Sequence, residues 1–332
     1  MHFISCIIAD MSSLEIAGSN LLSVGVLAFI LGAIGARLKS DVRLPDSIYQ
    51  FLSIYLLFGM GLKGGHSLKT VAFSELIKPS VATLVCGVLI PVTAFVILKL
   101  IKVLSDVDRG SIAAHYGSTS LVTFSAALLF LESNSIFVEG FAPALLTLFE
   151  IPGLIVGIFL GSRSITSHVK WSETFKEVLL GKTVLLLCGG LLVGFTTTTE
   201  GYKKVSPFFV ELLSGMLVLF LLHLGYMASA NFADVKRVGL PLGVFGVLFP
   251  IFSGVFGVAV GTFIGISVGG ATIVGVLCAS ASYIAAPAAV AVALPTASPT
   301  LALTTSIGIT FPINLIVGIP LYFKVAQTLS GL

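Results

Sequence analysis

Long apolar segments, separated by short polar loops, follow one another along nearly the whole chain. Many have about 20 residues, the length at which a helix crosses roughly 30 Å of hydrocarbon. They lie at 18–36, 47–62, 79–101, 110–131 and 138–161, and then, after a polar stretch, at 181–198, 206–230, 238–266, 269–292 and 299–323. The pattern predicts an all-α polytopic membrane protein with about ten transmembrane helices.

The polar stretch at 161–182 divides these segments into five and five. We therefore predict a first five-helix repeat at 1–162, a cytoplasmic linker at 163–180 and a second five-helix repeat at 181–332. Because each half has an odd number of spans, the second half enters the membrane from the opposite side, and the repeats are inverted. Apolar residues such as Val169 alternate irregularly with charges in the linker, which leaves open a solvated linker or a small interfacial helix.

The composition supports the membrane class and excludes a soluble globule. Of the 332 residues, 56% are hydrophobic and only 10% are charged, whereas a soluble domain has about 25% charged residues. So few charges leave too little polar surface for a protein in water. The net charge of +3 does not indicate a nucleic-acid partner, since the cations lie in short loops between apolar segments.

The loop charges predict the orientation of the chain. With ten spans, twelve of the 18 Lys and Arg residues fall on one side of the membrane and six on the other. Because cytoplasmic loops carry the excess of Lys and Arg, the side with twelve is predicted to be cytoplasmic. We therefore expect a multi-pass protein of the plasma (inner) membrane with both termini outside the cytoplasm.

Two Ser-rich stretches interrupt apolar segments at corresponding places in the two halves. The first is YGSTSLVTF at 116–124 and the second is CASASYIAAP at 278–287, and their serines align at a separation of 162 residues. A second match, LIVGI, follows Pro152 in one half and Pro312 in the other. Paired breaks of this kind are typical of transporters with a binding site at the interface between repeats.

The chemistry of the two stretches suits a small anion. Irregular backbone survives inside a bilayer where it lines a cavity or is buried in protein, and a helix that starts after each break offers free N–H groups and a partial positive charge. The predicted substrate-binding residues are Gly117, Ser118, Ser120, Thr123, Ser280, Ser282 and Tyr283. The alternative is that these small residues only allow helices to pack closely.

Glu150 is the second chemical signal, because an ionisable group inside a span is costly and is usually functional. It lies two residues before Pro152, with no basic residue within ten positions. Thr310 takes the corresponding place in the second half, and Asn314 follows it. These oxygen ligands suit a small hard cation such as Na⁺, and we predict a sodium site at Glu150, Thr310 and Asn314. The alternative for Glu150 is a protonated carboxyl bonded to a neighbouring helix. No other metal and no cofactor are predicted.

Several motifs resemble those of the sodium-dependent bicarbonate permeases of the cyanobacterial SbtA type. They are GSTSLVTF at 117–124, ASASYIAAPAAV at 279–290, ITFPINLIVGIPLYF at 309–323, LFGMGLKGG at 57–65 and LFEIPGLIVGI at 148–158. The resemblance implies core and gate domains, Na⁺-coupled bicarbonate uptake and a homotrimer. It also implies control by a cytoplasmic PII-like regulator, although the linker here is much shorter than in the cyanobacterial members. Glu150 stands where the family has an acidic residue.

We therefore expect a secondary active transporter that couples the inward movement of Na⁺ to bicarbonate uptake. The nearest alternative is Na⁺ symport of another small anion, such as a short organic acid. An intramembrane enzyme is not favoured, because the chain has no H-E-x-x-H motif and no His in register with a nucleophilic Ser. An ion channel is a third possibility, but matched broken helices favour a carrier.

Overall fold

The computed structural model describes residues 20–164, 170–230 and 239–331, and every regular element in these ranges is helical. In chain order the helices are α1 (Val24–Arg37), α2 (Asp46–Leu68), α3 (Phe73–Leu98), α4 (Asp106–Gly117), α5 (Leu121–Ser133), α6 (Ala142–Ser162), α7 (Trp171–Leu180), α8 (Lys182–Thr196), α9 (Thr199–Ala230), α10 (Leu240–Phe263), α11 (Val268–Ala279), α12 (Ala286–Ala293) and α13 (Pro299–Leu329). Helix α9 contains a π-helical turn at Pro207–Glu211, and α13 contains two, at Thr304–Thr310 and Asn314–Gly318.

The all-helical membrane class is confirmed, but the described residues contain fewer membrane-length helices than the ten predicted. Six helical stretches are long and apolar enough to cross a membrane: α3, α4 with α5, α6, α9, α10 and α13. Helices α7 and α8, which meet at a bend of 47°, make a seventh if they are counted as one. Two other apolar helices are short, since α1 has 14 residues and α11 has 12, and a single crossing needs about 20.

The helices pack in two groups. In the first, α1 lies along α9 and α2 lies along α8. In the second, α6 packs against α3 and α4, while α11 packs against α10 and α13. Both of the helices that break at a Ser-rich stretch belong to the second group. The site therefore lies in the second group, at its boundary with α8.

Glycines bring α4 and α6 into backbone contact. A Cβ atom placed on Gly153 would lie 1.7 Å from the carbonyl oxygen of Gly117, and one on Gly157 would lie 2.3 Å from the backbone nitrogen of Ala114. Only glycine permits such an approach, and small residues at helix crossings are the usual means of close packing in membranes. The contact holds the end of α4 beside the turn of α6 that carries Glu150.

The linker contains a helix, α7, rather than only a solvated loop. Trp171 at its start packs against Phe159 of α6, with ring centroids 6.2 Å apart. Val178 is buried in a small apolar cluster with Ala286 and Ala289 of α12. Helix α7 therefore covers α12, and it ends at Leu180, with only Gly181 between it and α8. The predicted linker residues 165–169, including Val169, lie outside the described residues.

Candidate functional site

The first Ser-rich stretch breaks a helix, as predicted. Helix α4 ends at Gly117, and the backbone is extended at Ser118 (φ −102°, ψ 142°) and Ser120 (φ −103°, ψ 114°) before α5 begins. The Ser120 hydroxyl then accepts a hydrogen bond of 3.2 Å from the backbone N–H of Thr123. This is an N-cap, which satisfies one of the N–H groups that a helix start leaves free. Ser120 thus both ends the break and starts the next helix.

The second stretch breaks a helix in the same way. Helix α11 ends at Ala279, and Ser280 has extended backbone (φ −86°, ψ 159°). The Ser282 hydroxyl accepts hydrogen bonds of 3.3 Å from the N–H groups of Ala285 and Ala286, at the start of α12. Pro287 lies in the first turn of α12, where a helix tolerates proline because that N–H has no partner within the helix.

The two breaks meet through direct hydrogen bonds. The backbone N–H of Ser282 donates to the carbonyl oxygen of Ser118 at 3.0 Å. The Ser280 hydroxyl accepts from the backbone N–H of Ser120 at 3.1 Å and lies 2.7 Å from the Thr119 hydroxyl. Ser120 in turn donates to the Tyr283 hydroxyl at 3.2 Å. The breaks therefore cross one another in the interior of the protein, where all these residues are buried.

A small cavity lies beside this crossing. Its volume is ≈ 10 Å³, which is about the space one water molecule needs. Its walls are formed by Thr119, Ser120, Leu121, Glu150, Thr183, Ser282, Tyr283 and Ile284. The substrate expected from the sequence, bicarbonate, has four heavy atoms and does not fit this space, which has room for one ion or one water.

Among the described residues, Glu150 is the only charged one in the wall of this cavity. The residue is 1% exposed, and its Oε1 atom has no hydrogen-bond partner in the described part of the chain. The carboxyl lies beside the Ser118 hydroxyl and the Thr119 backbone, but Ser118 Oγ makes no hydrogen bond of normal geometry there either. Because an uncompensated buried carboxylate is costly, the arrangement requires a cation or a proton at this position.

The structure does not bring Thr310 and Asn314 to the same cavity. The Thr310 hydroxyl donates to the carbonyl oxygen of Gly246 at 2.7 Å and also contacts the Tyr116 hydroxyl. The Asn314 side chain donates to the carbonyl oxygen of Ala279 at 2.8 Å and accepts from Tyr322 at 2.9 Å. Both residues are buried in polar networks within the second group of helices.

The predicted substrate-binding residues fall into two sets. Ser120, Ser282 and Tyr283 line the cavity, while Ser118 and Ser280 form the hydrogen-bonded crossing beside it. Gly117 and Thr123 flank the first break, and they supply close packing and a capped N–H respectively. Thr183, which reaches the cavity from α8, was not predicted from the sequence. A lone Thr after a polar linker gives no signal there, since only the tertiary packing brings it to the site.

Ser280 is expected to contribute measurably to stability. A Ser280→Ala variant leaves the Ser120 N–H and the Thr119 hydroxyl without this hydrogen-bond partner, and each unsatisfied buried group costs about 1–3 kcal/mol. We expect a lower melting temperature in detergent and weaker uptake of the substrate. Ser162→Ala is a matched control, because Ser162 is an i,i−3 hydrogen-bonded serine at the surface. Equal melting temperatures for the two variants would contradict the structural role of Ser280.

Apolar helices of membrane length define a multi-pass membrane protein, in which two broken helices cross in the interior beside a small buried cavity. The comparison with protein families identifies which kind of membrane protein this is. Residues 25–327 match the Na⁺-dependent bicarbonate transporter superfamily, and the chain belongs to that family. The resemblance inferred from the motifs is thereby confirmed, and the family implies a transporter rather than an enzyme. No curated protein matches the chain at a significant level.

Proposed function

We propose that the protein is a secondary active transporter that takes up bicarbonate across the plasma membrane by symport with Na⁺. The observation that carries the proposal is the closed cavity at the crossing of the two broken helices, where a buried carboxylate has an oxygen without a partner among the described residues. The family supplies the chemistry, since its members are Na⁺-dependent bicarbonate transporters.

Neutral hydrogen-bond donors would hold the anion. The Ser120 and Ser282 hydroxyls cap the starts of α5 and α12, and both lie in the cavity wall. When the site opens, an anion can take the place of these hydroxyls at the N–H groups and receive hydrogen bonds from them. The described wall residues include no Lys or Arg. Weak neutral donors allow release on the far side, which transport requires.

A Na⁺ ion beside the anion would lower the cost of carrying both. The pair is neutral, so it avoids the cost of about 2.3 kcal/mol for each elementary charge moved against 100 mV. Binding of the Na⁺ ion beside the anion depends on Glu150 as an ionised ligand. The predicted partners Thr310 and Asn314 would have to exchange their present hydrogen bonds for the ion.

Contacts between the two halves support an arrangement of two inverted five-helix repeats. The N-cap residues of α4 and α11, Ser105 and Ser267, are 162 residues apart, the same separation as the serines of the breaks. Two carboxylates join the halves in a matching way. Asp108 accepts from the backbone N–H of Ser298 at 2.8 Å, and Glu139 accepts from that of Ser267 at 2.6 Å. Asp108 lies in α4 and Glu139 in the loop before α6, and each joins the first half to the start of a helix in the second.

The grouping of helices supports a moving core and a fixed gate. We propose that α1, α2, α8 and α9 form the gate and that the remaining long helices form the core, which carries the site across the membrane in an elevator-like displacement. The termini lie outside in this proposal, and the linker with α7 lies in the cytoplasm. A homotrimer and a PII-like regulator follow from the resemblance alone, and native mass spectrometry of the purified protein tests the trimer.

Uptake of labelled bicarbonate into proteoliposomes tests the proposed function. We expect an inward Na⁺ gradient to drive accumulation, and K⁺ or choline gradients of equal size to drive none. Unlabelled short organic acids are added as competitors. Strong competition by an organic acid together with poor uptake of bicarbonate would favour the alternative substrate class, and uptake that is independent of Na⁺ would overturn symport.

A further inference from the structure

Thr183, the second residue of α8, carries a buried hydroxyl that the rest of the described chain leaves without a hydrogen bond. The residue is 6% exposed, and its Oγ1 atom has no partner among the described residues. Thr83 and Thr262 are also helical threonines without a partner in the described chain, whereas others bond to their own helix. Thr147 and Thr272, for example, donate to the backbone carbonyl four residues earlier in their own helices, at 3.0 and 2.7 Å. Thr183 lines the cavity that holds Glu150.

Three oxygen atoms that make no hydrogen bond of normal geometry in the described chain therefore lie at or beside one small space, two of them on the neighbouring side chains of Glu150 and Ser118. They are Oε1 of Glu150, Oγ of Ser118 and Oγ1 of Thr183. Buried polar atoms without a partner are rare in folded proteins, and each one needs an explanation such as an ion or a water. The space has room for one small particle only. The set has one carboxylate and two hydroxyl oxygens, which are hard ligands of the kind that alkali cations prefer.

We infer that Thr183 is a ligand of the coupling Na⁺, together with Glu150 and Ser118, in the closed conformation. The inference rests on the proposed Na⁺ symport. It differs from the ligand set predicted from the sequence, because Thr310 and Asn314 already use their polar atoms in other hydrogen bonds, whereas Thr183 has its hydroxyl oxygen uncommitted within the described chain.

Because Thr183 lies on α8, an ion bound to it would connect the two packing groups of helices. Helix α8 packs along α2 in the first group of helices, whereas Glu150 and Ser118 belong to the second group. An ion held by all three residues links the two groups. Displacement of one group against the other removes the Thr183 ligand, so Na⁺ binds the closed conformation more tightly and shifts the population toward it.

Two substitutions at this position separate the hydroxyl from the shape of the side chain. Thr183→Val keeps the branched shape and removes the oxygen, while Thr183→Ser keeps the oxygen. Both are compared with Thr147→Val, which removes a buried hydroxyl from α6 that is bonded to its own helix. We measure the Na⁺ concentration for half-maximal bicarbonate uptake in proteoliposomes, and the Na⁺-dependent rise in melting temperature of the purified protein.

We expect T183V to raise the half-saturating Na⁺ concentration by about tenfold. This is the lower end of the loss of metal affinity that follows when a residue supporting a bound metal is replaced. The T183S and T147V variants should stay within about twofold of the wild type. The Na⁺-dependent rise in melting temperature should shrink in T183V alone. If T183V does not fold, Thr183→Ala removes the same oxygen without adding bulk, and it carries the same expectation.

The results distinguish failure of this inference from failure of the proposed function. Wild-type uptake that does not respond to Na⁺ refutes symport, and the inference with it. A wild type that responds to Na⁺, with T183V or T183A at the same half-saturation, refutes the inference and leaves symport standing. If T183V changes the half-saturating concentration of bicarbonate at saturating Na⁺ but leaves that of Na⁺ unchanged, the hydroxyl belongs to the anion site. That result also overturns the inference.

Discussion

In a Glu150→Gln variant we expect Na⁺ to lose its stimulation of bicarbonate uptake, while the protein still folds. Gln has nearly the shape of Glu but carries no charge, and no other carboxylate of the described residues lines the cavity. Removing one partner of a buried ion pair costs about 3–5 kcal/mol, which corresponds to at least roughly 100-fold weaker Na⁺ binding. The measurement is uptake into proteoliposomes over a range of Na⁺ concentrations, with melting temperature as the check on folding.

The control for this substitution is Glu132→Gln. Glu132 lies at the end of α5, where it forms an exposed ion pair of 2.6 Å with Lys63. Such surface pairs contribute about 1 kcal/mol or less, so this variant should respond to Na⁺ like the wild type. The comparison also tests the alternative of a permanently protonated Glu150. Gln mimics a neutral carboxyl, and under that alternative the E150Q variant would keep full Na⁺ stimulation.

The second large effect is expected at the contact between α4 and α6. A Gly153→Ala variant places a methyl group 1.7 Å from the carbonyl oxygen of Gly117, so the two helices must separate. Overpacking in a tight interior costs about 1–3 kcal/mol or more, which corresponds to a fall of roughly 2–12 °C in melting temperature. Because Gly117 is followed at once by the first break, uptake should fall as well. Thermal unfolding in detergent and uptake in proteoliposomes measure the two effects.

Gly189→Ala is the matched control for this steric effect. Gly189 lies inside α8, and a Cβ atom there would have no neighbour within 4 Å among the described residues. Alanine is the better helix former by about 1 kcal/mol, so G189A should be neutral or slightly stabilising. Equal behaviour of the two alanine variants would show that α4 and α6 do not approach as closely as the structure has them.

The broken helices could be predicted from the sequence because their signals are local. Both breaks have hydroxyl residues inside an apolar segment. A glycine at the end of α4 also marks the first break, and a proline at the start of α12 marks the second. The repetition at a spacing of 162 residues indicated that the breaks correspond, and the structure has them in contact. Glu150 was predicted on similar grounds, since a lone carboxylate in an apolar segment has no common structural role.

The surroundings of Thr310 and Thr183 could not be predicted because they depend on helix geometry and tertiary packing. Thr310 was paired with Glu150 by its position in the second half, but π-helical turns at Thr304–Thr310 and Asn314–Gly318 interrupt α13. Such turns widen a helix locally and rotate the residues after them. Residues at matching positions in the two halves therefore need not lie on matching faces of their helices. Thr183 comes from a helix in the other packing group. The described residues contain six or seven helices of membrane length rather than ten, in part because short helices such as α11 look like full apolar segments when the residues beyond their ends are counted with them.

The two carboxylates that join the halves bear on how the chain is assembled during synthesis. Asp108 and Glu139 are inserted into the membrane long before the ribosome reaches Ser298 and Ser267, whose N–H groups donate to them. Likewise α1 and α2 have no packing partner until α9 and α8, which lie along them, have been synthesised. The first half therefore passes through an immature stage in which Asp108 and Glu139 lack the N–H donors of the second half, and these contacts are completed only when the last helix has been translated.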